Sequence, residues 1–294
     1  MCGIAGIVVS SFTGQYREAL QRMTNALAHR GPDGEGHHVF LNCGLGHRRL
    51  AVVDIGGGAQ PMLSGDSQVA VTFNGEIYGC QDIQRQINDY PFQTRSDTEV
   101  ILALYQRHGH QALGHLPGMF AFAIWDDRKQ ELFCARDRFG EKPLYYTTGR
   151  NGEFIFASEV KGILASGLVE PVLDLGAVGR YLQRQCVRAD QSIYVNIKVV
   201  PPAHYLRYRD GVAEVTRYWT LPEIERGIDA GEAVEQFRTL LLRAVRRQLV
   251  ADVPVGAFLS GGLDSSTICL LASQLTGDLR SFSFDFEGDH SEIT

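Results

Sequence analysis

The chain has 294 residues, enough for two domains of ordinary size, and its 44% hydrophobic and 21% charged residues are typical of a soluble globular protein. The formal net charge is −6 without a Lys- or Arg-rich run, and no 18 consecutive residues are apolar, which argues against nucleic-acid and membrane partners. The first 30 residues lack a secretory-signal pattern and the 6 cysteines form no CxxC pair, so we expect a cytoplasmic protein without a zinc site or a disulfide framework.

The N-terminus carries the first candidate for chemistry. The chain opens Met1-Cys2-Gly3-Ile4, and removal of the initiator methionine would leave Cys2 with both a thiol and the α-amino group. A thiolate is a nucleophile, and an α-amine, whose ordinary pKa is about 7.7–8.0, can take up and return its proton near neutral pH. A cysteine can also stand at position 2 by chance, so this hypothesis needs support from the rest of the chain.

The first 220 residues contain more strand-like than helical segments. Hydrophobic periodicity predicts a helix from Tyr16 to about Gly31, and the Ser96-Asp97-Thr98-Glu99 capping box predicts the start of another. Short apolar segments predict strands at residues 2–9, 38–41, 49–53, 69–73, 120–125, 131–135, 143–146 and 153–157. Because helices and strands do not alternate one for one, we expect an α+β fold of stacked antiparallel sheets covered by helices.

The pattern changes near residue 220. Residues 221–231 are polar and indicate a linker, and an apolar stripe between Val234 and Leu249 predicts a helix. A strand at 253–259, a helix at 264–275 and a strand at 281–286 then indicate the start of a parallel α/β sheet. Two strands cannot bury a core of their own, so we expect residues 232–294 to be the beginning of a truncated second domain.

A glycine-containing loop lies between the strand and the helix of this second segment. Residues 260–266 read SGGLDSS, and two glycines let the backbone approach a polyphosphate at the start of the next helix. Ser260 and Ser265 can donate hydroxyl hydrogen bonds, and Asp264 is a reasonable Mg²⁺ ligand. The loop is not a Walker sequence, since it has no GKS or GKT. The alternative is an ordinary glycine turn capped by serine.

A series of short motifs extends over nearly the whole chain. In order they are CGI at 2–4, HRGPD at 29–33, GHRRL at 46–50, QP at 60–61, FNGEIY at 73–78, SDTE at 96–99, GMFAF at 118–122, ARDRFG at 135–140, KPLYY at 142–146 and SGGLDSS at 260–266. With these motifs in this order, the chain resembles the N-terminal portion of the glutamine-dependent asparagine synthetase family, whose members are N-terminal-cysteine (class II) glutamine amidotransferases.

The resemblance implies a fold and a division into domains. It implies a four-layer αββα N-terminal-nucleophile glutaminase over residues 1–220, a linker over 221–231, and the beginning of a nucleotide-binding domain of the pyrophosphatase-loop type over 232–294. In such glutaminases the N-terminal cysteine attacks the side-chain amide of glutamine, which gives a glutamyl thioester and ammonia. By resemblance, Cys2 is this nucleophile, and the Asn74 side chain and the Gly75 N–H stabilise the oxyanion.

The same resemblance implies how glutamine is bound. Arg49 matches the arginine that binds the substrate carboxylate, and Asp97 matches the acid that pairs with the α-ammonium group, with Glu76 as a weaker candidate. Each has an alternative interpretation. Asn-Gly is also the strongest short signal for a hairpin turn, and an acid in the first turn of a helix also favours the helix dipole.

The second domain would, by resemblance, use ATP and Mg²⁺ to activate a carboxylate acceptor such as aspartate. The implied nucleotide-binding residues are Leu259, Ser260, Gly261, Gly262, Asp264, Ser265 and Phe284, with Asp264 also as the Mg²⁺ ligand. The expected partners are therefore small molecules: glutamine, ATP and the acceptor. Relatives in this family also form homodimers, so a homodimer is possible.

Three functions remain distinguishable at this point. The first is a glutamine-hydrolysing amidotransferase that makes asparagine, or the amide of another carboxylate in a biosynthetic pathway. The second is a stand-alone glutaminase, for which the 260–266 loop has no use. The third is a pseudoenzyme module, which the intact Cys2, Arg49, Asn74 and Asp97 disfavour. The sequence therefore predicts an enzyme of the asparagine synthase (glutamine-hydrolysing) type.

Overall fold

The computed structural model describes residues 1–224 and 227–284 and divides into two compact units, Met1–Leu221 and Pro222–Thr294. Among the described residues, none of the helices is both long and apolar enough to cross a membrane.

The first unit contains 12 strands and 5 α-helices among its described residues. The strands are β1 (Gly3–Val8), β2 (Gly34–Val39), β3 (Cys43–Arg49), β4 (Met62–Leu63), β5 (Val69–Ile77), β6 (Gly118–Asp126), β7 (Glu131–Arg136), β8 (Tyr145–Thr148), β9 (Phe154–Ala157), β10 (Lys198–Val199), β11 (His204–Arg209) and β12 (Val212–Arg217). The helices are α1 (Gly14–Ala26), α2 (Cys80–Gln86), α3 (Asp97–His108), α4 (Val160–Ala165) and α5 (Leu175–Arg184), and a 3-10 helix covers Gly109–His115.

These strands form two antiparallel six-stranded sheets. The first has the order β10-β8-β9-β1-β3-β2, and the second has the order β12-β11-β7-β6-β5-β4. Strand β1 is central in the first sheet and pairs with β3 on one side and β9 on the other. Strand β5 pairs with β6 over its whole length, from Val69 opposite Asp126 to Ile77 opposite Gly118. The strand that follows Cys2 is thus held on both edges.

Three apolar cores separate the layers. One, with Leu20 and Met23, lies between α1 and the outer face of the first sheet. A second, with Ile4 and Trp125, lies between the two sheets, and the third packs α3 against the other face of the second sheet. Neighbouring residues of β1 alternate between two cores, since Ile4 faces the second and Ala5 faces the first, as the period of a strand requires. This αββα arrangement confirms the predicted α+β fold.

Some predicted elements differ from the structure. The predicted strand at 49–53 is wrong beyond its first residue, because β3 ends at Arg49 and the chain then enters a loop. The hairpin of β11 and β12 was not predicted, although its turn carries a strong signal. Asp210 and Gly211 both have positive φ, 51° and 79°, as an Asp-Gly turn between two strands requires.

Helix α3 begins where the sequence places it, but its predicted capping box does not form. The Ser96 hydroxyl accepts a hydrogen bond from the Thr98 N–H at 3.2 Å, as expected of an N-cap residue. Glu99, however, does not reach back to Ser96. Its carboxylate accepts from the backbone N–H groups of Gln93 and Thr94, at 2.9 and 2.7 Å, and so anchors the loop before the helix.

The second unit contains α6 (Ala230–Gln248), β13 (Gly256–Phe258), α7 (Leu263–Leu275) and β14 (Arg280–Phe282). Strands β13 and β14 pair in parallel, in agreement with the predicted start of an α/β sheet. Helix α6 begins inside the segment 221–231 that the sequence assigns to a linker, because the Asp229 side chain caps it by accepting from the N–H groups of Gly231 and Glu232. The predicted strand at 281–286 extends to residues 285 and 286, which lie outside the described residues.

Candidate active site

A cavity of about 140 Å³ opens at the start of β1. This volume is roughly ten times the 10–15 Å³ that one water needs, so the cavity can hold a small molecule. It gathers side chains from the start of β1, the end of β3, strand β5 and the start of α3. All of the sequence-predicted glutamine-site residues line it: Cys2, Arg49, Asn74, Gly75, Glu76 and Asp97.

Cys2 lies immediately before β1, where its thiol meets the backbone of Leu50. The Sγ atom accepts a hydrogen bond from the Leu50 N–H at 3.3 Å and lies 3.6 Å from the Leu50 carbonyl oxygen. The Arg30 Nε donates to the Cys2 carbonyl at 2.8 Å and fixes the backbone of the same residue. Burial raises the pKa of the thiol, so Cys2 needs a base or a nearby positive charge to become a nucleophile.

Asn74 is the second distinctive group of the cavity. The residue is 1% exposed, and neither its amide nitrogen nor its amide oxygen has a hydrogen-bond partner among the described residues. A buried amide without partners is costly, by roughly 1–3 kcal/mol, and such groups in native proteins call for an explanation. An amide donor that faces a cavity beside a thiol is suited to bind a ligand oxygen.

The hairpin-turn interpretation of Asn74-Gly75 is wrong. Both residues lie within β5, where Asn74 is opposite Ala121 and Gly75 is opposite Phe120, so the strand continues through them. A Cβ atom on Gly75 would lie 2.1 Å from the carbonyl oxygen of Met119. The glycine is therefore needed for the close approach of β6 rather than for a turn.

The Arg49 guanidinium is fixed by the protein itself. Its Nη1 donates to the Ile55 carbonyl at 2.8 Å, and its Nη2 donates to the carbonyls of Val53 and Asp54 at 3.2 and 2.6 Å. Gly58 packs against the same group, since a Cβ atom there would lie 2.4 Å from Arg49 Nη2. A positive charge with a set orientation thus forms part of the cavity wall.

Two carboxyl groups form the acidic part of the wall. Asp97 is the first residue of α3, and its Oδ2 accepts from the Ile77 N–H of β5 at 3.0 Å. Burial raises the pKa of Asp97 to about 6, and burial together with the Asp97 charge raises the pKa of Glu76 to about 7. Both carboxyl groups are harder to ionise than usual, and a bound cation would reverse that effect.

Gln60 and Lys142 also line the cavity, and the sequence assigns no role to either. Gln60 bridges β5 and α3, since its Oε1 accepts from the Phe73 N–H at 2.6 Å and its Nε2 donates to Thr98 Oγ1 at 3.1 Å. Lys142 is 7% exposed and lines the cavity beside Met1. Both residues belong to the motifs that the chain shares with the family. For Lys142, however, local sequence does not distinguish a buried lysine from a surface one.

Two arginines near the cavity form ion pairs with residues distant in sequence. Arg30 and Asp33 do not pair with each other but bind other groups. Arg30 pairs with Glu159 at 2.8 Å, and the Asp33 carboxylate accepts from the Ala51 N–H at 2.9 Å.

The Arg48 side chain is only 16% exposed. It forms a 2.7 Å ion pair with Glu35 on the neighbouring strand β2. The partner comes from strand pairing, which the local sequence of Arg48 does not reveal.

The candidate nucleotide loop lies between β13 and α7, as predicted. Gly261 has a φ of 81°, and the Ser260 and Ser265 hydroxyl oxygens lie 3.0 Å apart. Asp264 stands in the first turn of α7. The loop is open to solvent, so its hydroxyl groups bond to each other and to the Gly262 carbonyl rather than to buried partners.

The remaining predicted nucleotide-site residues lie on the strand side of this loop. The Leu259 N–H donates to the Phe282 carbonyl at 2.8 Å, which extends the pairing of β13 with β14. Phe284 is 81% exposed, and its ring centre lies 6.2 Å from that of Phe258. Among the residues that the structure describes, no group of three or more His, Cys, Asp or Glu side chains is arranged to hold a metal.

Comparison with protein families divides the chain into two matched regions. Residues 1–219 match the glutamine amidotransferase domain, and residues 236–294 match asparagine synthase.

Curated relatives match over nearly the whole chain. Asparagine synthetase [glutamine-hydrolyzing] 3 of Bacillus subtilis is 39% identical, over 98% of this chain and 48% of the relative. Putative asparagine synthetase [glutamine-hydrolyzing] 2 of Methanocaldococcus jannaschii is 37% identical, over 99% of this chain and 61% of the relative. Amidase chry2 of Gibberella zeae is 37% identical, over 94% of this chain and 43% of the relative. The chain thus spans about half the length of the curated relatives it matches.

A solved structure shows the same fold. Glutamine phosphoribosylpyrophosphate amidotransferase of Bacillus subtilis matches with a TM-score of 0.57 and 20% identity, over 95% of this chain and 65% of that chain. This likeness concerns the fold alone, and it agrees with the N-terminal-nucleophile arrangement of the two sheets.

Proposed function

Since the chain belongs to the glutamine amidotransferase family, we propose that it hydrolyses glutamine at Cys2 and supplies the ammonia for ATP-dependent amidation of a carboxylate, most favourably aspartate. The observation that carries the proposal is the buried amide of Asn74, which has no partner among the described residues and lines the same cavity as Cys2. A merely structural asparagine at this depth would be hydrogen-bonded.

The chemistry begins with the thiol of Cys2 after removal of Met1. The sulfur attacks the side-chain amide carbon of glutamine while the α-amine of Cys2 takes the thiol proton. Collapse of the tetrahedral intermediate breaks the C–N bond, and the amine returns its proton to the departing nitrogen, which leaves as ammonia. Water then adds to the thioester, and glutamate and the thiol are released.

The oxyanion of both tetrahedral intermediates needs donors that are already in place. The Asn74 Nδ2 and the Gly75 N–H are assigned this role, and both stand on β5, a strand paired along its whole length with β6. Donors held in this way require little reorganisation as charge develops, and one such donor is typically worth about 10²–10³ in kcat.

The rest of the substrate is bound by charge. The fixed guanidinium of Arg49 pairs with the α-carboxylate, and Asp97, with Glu76 nearby, pairs with the α-ammonium group. Binding of the ammonium group favours the ionised forms of both carboxyl groups and so offsets the effect of burial on them. A substrate that lacks either charge should therefore bind poorly.

The second unit is assigned to ATP, with support from the asparagine synthase match over 236–294. The backbone of Ser260, Gly261 and Gly262 and the start of α7 would hold the phosphates, with Asp264 as a Mg²⁺ ligand. ATP would supply the activation of the acceptor carboxylate. Aspartate is favoured because the Bacillus subtilis and Methanocaldococcus jannaschii relatives are named asparagine synthetases, and the likeness to Amidase chry2 leaves another carboxylate as the alternative. The cytoplasmic location and the homodimer stay predictions.

The test is glutamate release from glutamine without ATP. The chain, its Cys2→Ala variant and a control Cys186→Ala variant are compared after mass spectrometry has verified loss of Met1. Cys186 is exposed, so its replacement should leave the rate unchanged. We expect release from the parent and the control only. Equal release by Cys2→Ala, or none from a folded and processed parent, would contradict the proposal.

A further inference from the structure

Lys142 is a buried cation in the wall of the cavity. It is 7% exposed and stands between β7 and β8 on a backbone that is fixed on both sides. Its N–H donates to the Asp137 carboxylate at 3.0 Å, and its carbonyl accepts from Arg136 Nε at 2.7 Å. The Nζ atom lies 3.4 Å from the sulfur of Met1. The ammonium group therefore lies beside the first residue of the chain.

The other cation at the N-terminus is already neutralised. Arg30 donates to the Cys2 carbonyl at 2.8 Å and forms an ion pair with Glu159, also at 2.8 Å. Within residues 1–224 and 227–284, no carboxylate forms an ion pair with Lys142 at the same short range. In the part of the chain that the structure describes, Lys142 is thus a charge near the terminal amine without a direct counter-ion.

Removal of Met1 changes what Lys142 faces. The thioether that now contacts its ammonium group leaves, and the α-amine moves to Cys2, whose carbonyl Arg30 holds. The charged groups that act on the terminal amine, on the Cys2 thiol or on Lys142 itself come from several elements: Arg30, Asp33, Arg49, Glu76, Asp97, Asp137 and Glu141.

We propose that Lys142 is a positioning residue of the glutaminase whose buried charge keeps the α-amine of Cys2 free of its proton at neutral pH, so that this amine can accept the proton of the thiol. The inference rests on the proposed function of the same site. It assigns a role to a residue that the chemistry of substrate binding does not use, since Arg49 and Asp97 already bind the charged groups of glutamine.

The sign of the effect follows from electrostatics. A nearby cation disfavours the ammonium form of the amine and favours the thiolate form of Cys2, so it lowers both pKa values. In the structure the terminal amine is that of Met1. Burial is the main cause of its lowered pKa, and Arg30 and Lys142 lower it further. Loss of the Lys142 charge should raise both apparent pKa values of the amine–thiol pair, by about 0.5–1 unit.

The direct test observes Cys2 without requiring turnover. Protein labelled with ¹³C-cysteine is titrated by NMR, and the Cys2 signal is identified by its loss in Cys2→Ala. We expect both apparent pKa values to rise in Lys142→Met and to return to the parent values in Lys142→Arg, which keeps the charge. Lys198→Met is the matched control, because Lys198 is an exposed lysine on β10. Unchanged values in Lys142→Met, or equal shifts in the Met and Arg variants, would overturn the proposal.

The second readout is the pH profile of kcat/KM for glutamine, which reports groups of the free enzyme. The acid limb should move to higher pH by the same 0.5–1 unit in Lys142→Met, so that the rate on this limb falls by about 3- to 10-fold. Glu76 also faces Lys142, so the shift must persist in a Glu76→Gln background.

The two measurements separate the possible failures. If no variant releases glutamate but the NMR titration shifts as expected, the glutaminase proposal fails while the electrostatic role of Lys142 stands. If the chain is active but the titration does not shift, only the role of Lys142 fails. Should Lys142→Met not fold, Lys142→Gln removes the same charge with a neutral, polar side chain, and the same titration outcomes decide between the two results.

Discussion

The two units present their candidate ligand-binding groups in opposite ways. In the first unit these groups are buried, with Asn74 1% and Asp97 7% exposed. In the second unit the residues around the 260–266 loop are open, with Leu263 83% and Phe284 81% exposed. The first site is thus assembled from buried groups of its own unit, while the loop of the second is exposed among the residues that the structure describes.

This difference bears on what each unit can do alone. A buried donor such as the Asn74 amide needs little rearrangement to bind, because the surrounding strands already hold it. The Ser260 and Ser265 hydroxyls, in contrast, bond to each other and must exchange that contact for a phosphate. We therefore expect glutamine hydrolysis by the described first unit to be efficient and nucleotide binding by the second to be weak.

The sharpest test of this division is a pair of variants in a complete enzyme that carries this chain. Cys2→Ala should abolish glutamine hydrolysis, by about 10⁴-fold or more, and leave synthesis from added ammonia intact. Asp264→Ala should abolish synthesis with either nitrogen source and leave glutamine hydrolysis intact. Glutamate and the amide product are measured separately, and either variant with the profile of the other would refute the assignment.

The next largest effect is expected at Asn74. Asn74→Ala removes one donor to the oxyanion, so kcat for glutamine hydrolysis should fall by about 10²–10³ with little change in KM. Asn42→Ala is the control, because the Asn42 side chain binds the Ser10 carbonyl away from Cys2. A change confined to KM would instead indicate that Asn74 binds the ground state of the substrate.

Two glycine substitutions compare the rigidity of the two units. In Gly75→Ala, the new Cβ would lie 2.1 Å from a backbone oxygen of the paired strand, so we expect a loss of about 2–3 kcal/mol in the free energy of unfolding.

Gly261→Ala meets no atom within 4 Å, and only its φ of 81° opposes a side chain, at about 1–2 kcal/mol locally. Both tryptophans lie in the first unit, so denaturation followed by their fluorescence should respond to Gly75→Ala alone. Equal denaturation midpoints for the two variants would contradict the proposed difference in rigidity between the two units.

A smaller effect is expected at Asp97. Asp97→Asn keeps an acceptor for the Ile77 N–H but loses the charge, so KM for glutamine should rise by about 10- to 50-fold. Asp82→Asn is the matched control, since Asp82 also stands in the first turn of a helix but is exposed. A similar defect in both variants would favour the helix-dipole interpretation of Asp97.

The pKa of Asp97 also predicts the direction of the pH dependence. Its charge is lost as pH falls through about 6, so KM should rise below this pH in the parent and stay flat in Asp97→Asn. The same raised pKa means that the folded state holds the proton more tightly than the unfolded state. The contribution of Asp97 to the free energy of unfolding should therefore fall as pH rises from about 4 to about 6, and Asp97→Asn should remove this contribution.

Two dipeptides show how far the sequence alone could predict the fold. Asn74-Gly75 has the strongest short hairpin signal, yet it lies inside a strand, because its partner β6 begins 41 residues after β5 ends. Asp210-Gly211 carries a similar signal and does form a turn, with β11 and β12 on either side. The dipeptide gives a local preference for a turn, and pairing with a distant strand determines whether the turn forms.

The candidate site likewise combines residues that local sequence indicates with contacts that depend on distant parts of the chain. The residues with a motif of their own, such as Cys2 and Arg49, could be named as candidates from the sequence, and they line one cavity. Their supporting contacts could not, because each joins positions far apart in the chain. Arg30 and Glu159 are 129 residues apart, and Lys142 lies 141 residues from Met1. Only the folded sheets bring these pairs together.

The central position of β1 limits where another polypeptide can be fused to this fold. The strand is hydrogen-bonded on both edges, and the residue before it faces the cavity. Any polypeptide fused ahead of Cys2 would have to pass through this cavity, and it would turn the α-amine that the proposed function requires into an amide. Under the proposed function, an added domain or an affinity tag should therefore be joined downstream of the last strand rather than ahead of Cys2.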